Sequence, residues 1–142
     1  MGRYEVLETI AVADCALEIH GEDLDDLFAT AGRALAETMV DPATLVPTVE
    51  RTLRLEAPSL DLLLFDWLSE LIYLKDSERL VFPRVEARVE ADGPCRLAAR
   101  LAGGRLDPPR TALRADVKAV TFHRFSVERH GRGWLARVVL DI

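Results

Sequence analysis

Hydrophobic and polar positions change period several times along the chain. Residues 3–9 read as a short strand. Residues 14–20 alternate, with Cys15, Leu17 and Ile19 on one face and Ala16, Glu18 and His20 on the other. That period of two marks a half-buried strand, ended here by Gly21. The period then lengthens. Leu24, Leu27, Phe28, Ala31, Leu35 and Met39 recur at spacings of three and four, which places them on one stripe of a helix that Asp41-Pro42 stops. Glu22, Asp23, Asp25 and Asp26 crowd its first turn, where carboxylates complement the positive end of the helix dipole. The cluster reads as capping and solvation, because no further ligands converge on it.

Residues 48–55 alternate again and predict a strand. Pro58 and Ser59 open a second helix, with Ser59 as its N-cap. This helix runs to about Leu74 through Leu60, Leu63, Leu64, Trp67, Leu68, Leu71 and Ile72. So wide an apolar face predicts deep packing. Asp66 sits beside Trp67; an exposed or capping acid is the ordinary reading, and a functional role is the other. Residues 80–90 and 96–102 alternate on either side of the turn signal Asp92-Gly93-Pro94. Gly103-Gly104 and a proline-containing loop at 106–110 follow. Residues 118–128 form another alternating segment, His130-Gly131-Arg132-Gly133 a hairpin turn, and 134–142 a last strand. Strands around two helices, with neither repeat nor linker, predict one α+β domain over 1–142. Its expected form is a two-layer α/β sandwich, two helices packed on a largely antiparallel or mixed sheet.

Composition narrows the class. The chain has 142 residues, 49% hydrophobic and 30% charged, enough to bury a core and too apolar for disorder. The formal net charge is −6, which disfavours general phosphate-backbone binding. That total hides a split: residues 1–76 hold 16 acids and 5 bases, and residues 77–142 hold 8 acids and 13 bases. The split predicts either a polar surface or halves that interleave so that the field averages out. Two cysteines, Cys15 and Cys95, exclude a disulfide scaffold and a zinc ribbon. The first residues are not a signal peptide, and apolar runs such as 62–65 are far too short for a membrane span. The expectation is a cytoplasmic domain with no membrane partner.

Catalytic signatures are missing. There is no phosphate-binding Gly-x-x-x-x-Gly-Lys loop, no Gly-x-Gly-x-x-Gly, no His-Glu-x-x-His and no Gly-x-Ser-x-Gly. Each cysteine falls in a strand-like segment, as a structural thiol would. His20, His123 and His130 lack metal-ligand spacing.

Four stretches, in order, resemble the archease family. They are Ala13-Asp14 followed by a strand, Gly21 and Asp23-Leu24-Asp25-Asp26-Leu27-Phe28; then Leu64-Phe65-Asp66-Trp67-Leu68-Ser69-Glu70-Leu71-Ile72-Tyr73-Leu74. The third is Leu106-Asp107-Pro108 leading to Val117-Lys118-Ala119-Val120-Thr121-Phe122-His123. The fourth starts at Trp134 and ends in Val138-Val139-Leu140-Asp141-Ile142. The resemblance implies a non-enzymatic accessory protein of the RtcB-type tRNA-splicing RNA ligase, promoting its GTP-dependent guanylylation and turnover. The ligase itself would hold the tRNA. The resemblance further implies a divalent-metal site at Asp14, Asp141 and a terminal oxygen of Ile142. Lys118, His123 and Asp66 match motif positions that could face the ligase or its nucleotide. The chain departs from the family where His-Thr-Ala-Asp is usual: here the run is Ala11-Val12-Ala13-Asp14.

Asp14 begins one strand and Asp141 ends another. If the two strands are neighbours, two carboxylates meet at the sheet rim, and close carboxylates repel unless a cation or proton intervenes. Oxygen donors suit a hard ion, Ca²⁺ or Mg²⁺, with Mn²⁺ a further candidate. The competing reading makes Asp14 a turn cap and Asp141 a solvated acid. Alternation places Lys118, Val120 and Phe122 on one strand face and Thr121 and His123 on the other, unless a bulge intervenes. The alternative functions are an RNA-processing chaperone or adaptor using the Arg-rich half, and a divergent paralogue that has lost activation.

Overall fold

The computed structural model describes residues 2–7 and 14–142. Residues 8–13, which include Ala11, Val12 and Ala13 of the first motif and the end of the first expected strand, lie outside the described residues. The elements run β1 (Arg3–Val6), β2 (Asp14–Gly21), α1 (Leu24–Met39), a 3-10 turn (Pro42–Thr44), β3 (Val49–Ala57), α2 (Leu60–Glu78), β4 (Leu80–Glu90), β5 (Cys95–Arg105), β6 (Ala119–His130) and β7 (Gly133–Asp141). Every pairing is antiparallel. The two helices pack on these strands, as the α+β pattern predicts. The strands divide into two sheets, ordered β1-β2-β7-β6 and β3-β5-β4. Alternation reveals which strands exist and not which ones pair, so the division was not legible in the sequence.

The core lies between the helices and the inner faces of both sheets. Leu17 and Ile19 of β2, Ala136, Val138 and Leu140 of β7, and Leu97, Ala99 and Leu101 of β5 all contribute to it. Trp67 of α2 is fully buried, and its indole N–H donates to the carbonyl of Phe28 on α1 at 3.0 Å. A buried indole needs such a partner, because an unpaired donor in the interior costs roughly 1–3 kcal/mol.

The acids at the start of α1 are consumed by the fold. Asp23 caps the helix, accepting from the Asp26 amide. The Asp26 carboxylate accepts from the amides of Gly2 and Glu22, and Asp25 accepts from the Val89 amide of β4. The other end of α1 has no basic residue in its last turn. Its orphan carbonyls are met from within the chain and from the β5–β6 connection. The Val40 amide donates to Ala36, the Ala115 amide to Thr38 and the Arg114 amide to Met39. The Arg114 guanidinium donates to Glu37. That satisfies a helix end which otherwise leaves four acceptors open.

Three expectations change. The second helix continues past Leu74 to Glu78, with Arg79 in the left-handed region at φ 58° closing it. The extra turn holds Lys75, whose partners come from residues 116 and 117 and so leave no local signal. Ser59 sits at the N-cap but makes no capping hydrogen bond; its hydroxyl pairs with the Asp61 carboxylate instead. Gly103 and Gly104 fall inside β5 and do not follow it. A Cβ on Gly103 would stand 1.9 Å from the Val81 carbonyl oxygen, and one on Gly104 2.0 Å from that of Val46. These glycines permit close backbone approach and do not make a turn.

The two charged halves interleave. Acids of the first half meet bases of the second: Glu18 pairs with Arg137 at 3.5 Å, Glu56 with Arg96 at 3.7 Å and Asp41 with Arg114 at 4.0 Å. At these contacts the excess charges of the two halves offset one another. Among the described residues, no helix is long and apolar enough to cross a membrane.

A candidate metal rim on the four-stranded sheet

The strands that carry Asp14 and Asp141 are neighbours. β2 and β7 pair so that Asp14 is the register partner of Asp141, and Ala119 of β6 flanks Asp141 on its other side. Register partners share a face, with Cβ atoms about 4.5–5.5 Å apart. Their face points away from the core, since Leu17, Ile19, Val138 and Leu140 occupy the alternate positions. Both acids are half-buried. Among the described residues, neither carboxylate has an ion-pair or hydrogen-bond partner. Two half-exposed like charges in register destabilise a strand pair unless something neutralises them.

A third oxygen lies one step in from this rim. Thr121 pairs with Val139, so it shares the face of Ala119 and Asp141. Its hydroxyl oxygen is buried and has no hydrogen-bond partner among the described residues. Sequence reading did not single out Thr121; the signal was its place two residues beyond the strand start, on the side opposite the core residue Val120. Ile142 is half-buried beside Asp141. The donor set suits a hard divalent cation, which takes carboxylate, hydroxyl, main-chain and water oxygens. No three His, Cys, Asp or Glu side chains converge into a metal cage among the described residues. At this rim the side chains offer two carboxylates, so further ligands would have to be main-chain, hydroxyl or water oxygens.

The remaining sequence candidates lie along the edge strand β6 and helix α2. Lys118 is exposed and its amide donates to the carbonyl of Asp141 at 2.7 Å, which puts it at the rim. His123 does not follow the simple alternation. Pairing of β6 with β7 shifts register between Thr121 and Ser126, where five steps on β6 match two on β7. Inside this bulge Arg124 adopts φ 54°, and Phe122, His123 and Arg124 are all exposed. Phe122 therefore does not join Val120 on the core face; it is 62% exposed and stacks on Phe65 of α2, ring centroids 3.9 Å apart. That stack brings the helix motif and the strand motif together. Asp66, next to Phe65, is exposed on α2. His123 is likewise exposed and not packed.

Nearby thiol and imidazole groups are accounted for structurally. Burial pushes the Cys15 thiol up, which makes it a poor nucleophile at neutral pH. His20 bonds Glu18 through Nε2 at 3.1 Å. Burial tends to raise the Glu18 carboxyl, but hydrogen bonds from His20 and Arg137 outweigh it and hold the group low.

Comparison with known proteins adds the lineage. Residues 4–142 match the model of the Archease protein family (MTH1598/TM1083). The chain is 34% identical to the protein archease of Methanosarcina mazei, over 99% of this chain and 96% of that one. It is 34% identical to the protein archease of Archaeoglobus fulgidus, over 92% and 93%. Among solved structures, the solution structure of Methanobacterium thermoautotrophicum protein 1598 superposes with a TM-score of 0.80 at 28% identity, covering 98% of both chains. The crystal structure of a Thermotoga maritima protein, described as an archease and possible chaperone, shares the fold at a TM-score of 0.64 and 23% identity, covering 97% of this chain and 98% of that one.

Proposed function

The chain belongs to the archease family, and from that premise we propose that it is an accessory protein of an RtcB-type tRNA-splicing RNA ligase. It promotes the ligase's GTP-dependent guanylylation and its multiple turnover, in the cytoplasm, and does no bond-making of its own. The tRNA is held by the ligase, which agrees with an acidic chain whose bases and acids interleave. A divalent cation, Ca²⁺ or Mg²⁺ with Mn²⁺ as a third candidate, binds at Asp14, Asp141 and a main-chain oxygen of Ile142. There it supplies positive charge against the phosphate groups handled by the ligase.

The observation that carries this reading is the register pair Asp14–Asp141, two opposed carboxylates without a compensating partner among the described residues. Lys118 at the same rim, and His123 and Asp66 beside the Phe65–Phe122 stack, are the proposed contacts to the ligase. Ala11 and Val12 stand where the family usually has His and Thr, so this chain relies on Asp14 alone in that motif.

The test is ligation by the cognate ligase under single- and multiple-turnover conditions, with and without this protein and metal. The protein should raise multiple turnover. Asp14→Ala and Asp141→Ala should remove the stimulation while circular dichroism shows an intact fold. Undiminished stimulation by both variants would overturn the assignment. The exposed Phe122 favours a second reading, a chaperone or adaptor that binds apolar surfaces; stimulation lost in Phe122→Ala but kept in both aspartate variants would select it.

A further inference from the structure

Lys75 is the only charged side chain buried among the described residues, 7% exposed on the last turn of α2. A buried ammonium is costly unless it is paired and hydrogen-bonded, and Lys75 is both. Its Nζ donates to the carbonyl of Val117 at 2.7 Å and to the Asp116 carboxylate at 2.8 Å, and it also pairs with Asp76 at 2.9 Å. Burial by itself pulls the ammonium's pKa down, but the bonds to Asp116 and Asp76 outweigh it and keep the group charged. The next residue in the chain, Lys118, donates its amide to the Asp141 carbonyl at 2.7 Å. A continuous set of short bonds therefore runs from α2 through Val117 and Lys118 to the residue that closes the rim.

The rest of the β5–β6 connection is anchored elsewhere. Ala112, Arg114 and Ala115 are tied to the residues around the end of α1. No paired strand holds residues 116–118; the Lys75 bonds, the buried Val117 side chain and the Lys118 amide hold them next to Asp141, and of these only Lys75 ties them to α2 by hydrogen bonds. We propose that Lys75 is a positioning residue for the divalent-cation rim, setting the backbone of Val117 and Lys118 and through it the height of Asp141 opposite Asp14. This rests on the metal-rim reading above. Lys75 touches no ligand; it acts as the outer-shell partners of metal ligands do, whose loss typically weakens binding about 10–100-fold.

The experiment is a Ca²⁺ titration by calorimetry, at a temperature where circular dichroism shows each variant folded. Lys75→Met keeps most of the apolar stem and removes every donor. It should weaken Ca²⁺ binding about tenfold or more, and Lys75→Arg should recover part of the loss. Leu63→Ala, a core change on the same helix, should lower the melting temperature without moving Ca²⁺ affinity. If Lys75→Met does not fold, Lys75→Gln decides, because it stays polar but is one bond too short to keep the 2.7 Å bond to the Val117 carbonyl; a clear weakening supports the proposal and none overturns it. Wild-type binding with unchanged affinity in Lys75→Met overturns the positioning role alone. An equal loss in Leu63→Ala overturns it too, as general loosening. Absence of Ca²⁺ binding by the wild type removes the metal reading itself and this inference with it.

Discussion

The two sheets share a fold and treat charge in opposite ways. On the outer face of β3-β5-β4, acids and bases stand opposite one another: Glu56, Arg96 and Glu90 form one row, and Thr52, Arg100 and Glu86 another. Arg96 reaches Glu56 at 3.7 Å and Arg100 reaches Glu86 at 3.8 Å. Pairing is regular there except for one register shift between Val81 and Arg84. On β1-β2-β7-β6, Glu18 has Arg137 and His20, but the terminal row sets Asp14 against Asp141. The edge strand of the same sheet bulges and exposes an aromatic ring. The Arg54–Ala98–Arg88 row of the three-stranded sheet has no acid, but an alanine stands between its arginines. Glu5 and Glu18 oppose each other on β1-β2, and each has a cationic partner; Asp14 and Asp141 have none among the described residues. Local rules are expected to fail at functional sites, and this pair is the proposed place for the cation.

Breaking that contrast begins with the three-stranded sheet. Gly103→Ala forces a Cβ against the Val81 carbonyl and should destabilise by about 3 kcal/mol in urea unfolding, at the upper end of overpacking costs. Ca²⁺ affinity of the folded fraction should not change; a parallel fall would mean that the two sheets are one functional unit. Phe122→Ala removes the exposed stack on Phe65 and should cost about 1 kcal/mol. A neutral result would show that the bulge is not held by that stack. Arg100→Glu places like charges opposite Glu86 and should cost about 0.5 kcal/mol, a penalty that shrinks as salt is raised. No penalty at low salt would remove the claim that the rows are charge-matched.

The smallest effect is a pH dependence. The hydrogen bond and charge of Lys75 hold the Asp116 carboxyl below its ordinary value. A depressed carboxyl stabilises the fold above the unfolded value and loses that contribution as pH falls through the folded one. The stability difference between wild type and Asp116→Asn should thus be constant near neutrality, begin to shrink in acid at about pH 4, and vanish only once pH has fallen below the folded value. A difference that persists in acid would separate Asp116 from Lys75.

Much of this architecture was legible. Period changes located both helices and the strands; the acidic cluster around Asp23 opens the first helix, and the Asp41-Pro42 stop signal lies just past its end. What was missed depends on partners distant in sequence. The extra turn of α2 carries Lys75 and Glu78, whose partners lie at residues 116, 117, 105 and 51. The glycines of β5 answer to the carbonyls of Val81 and Val46. Phe122 left the core face because the bulge turns the strand toward Phe65. For the candidate site, the two acids were visible at the start of one strand and the end of another, but only pairing made them neighbours. The unpartnered Thr121 hydroxyl emerged from burial alone.

The claim that this rim is a divalent-cation site is tested most directly by thermal unfolding of the wild type and of Asp14→Asn, each in chelator and in millimolar Ca²⁺. Removing one of two opposed charges should leave the variant as stable as the metal-free wild type, or more so by about 0.2–1 kcal/mol. Ca²⁺ should raise the wild-type transition, by about 2.7 kcal/mol when present at a hundred times its dissociation constant, and leave the variant where it was. A wild type unmoved by Ca²⁺, or a variant that gains as much as the wild type, would contradict the account.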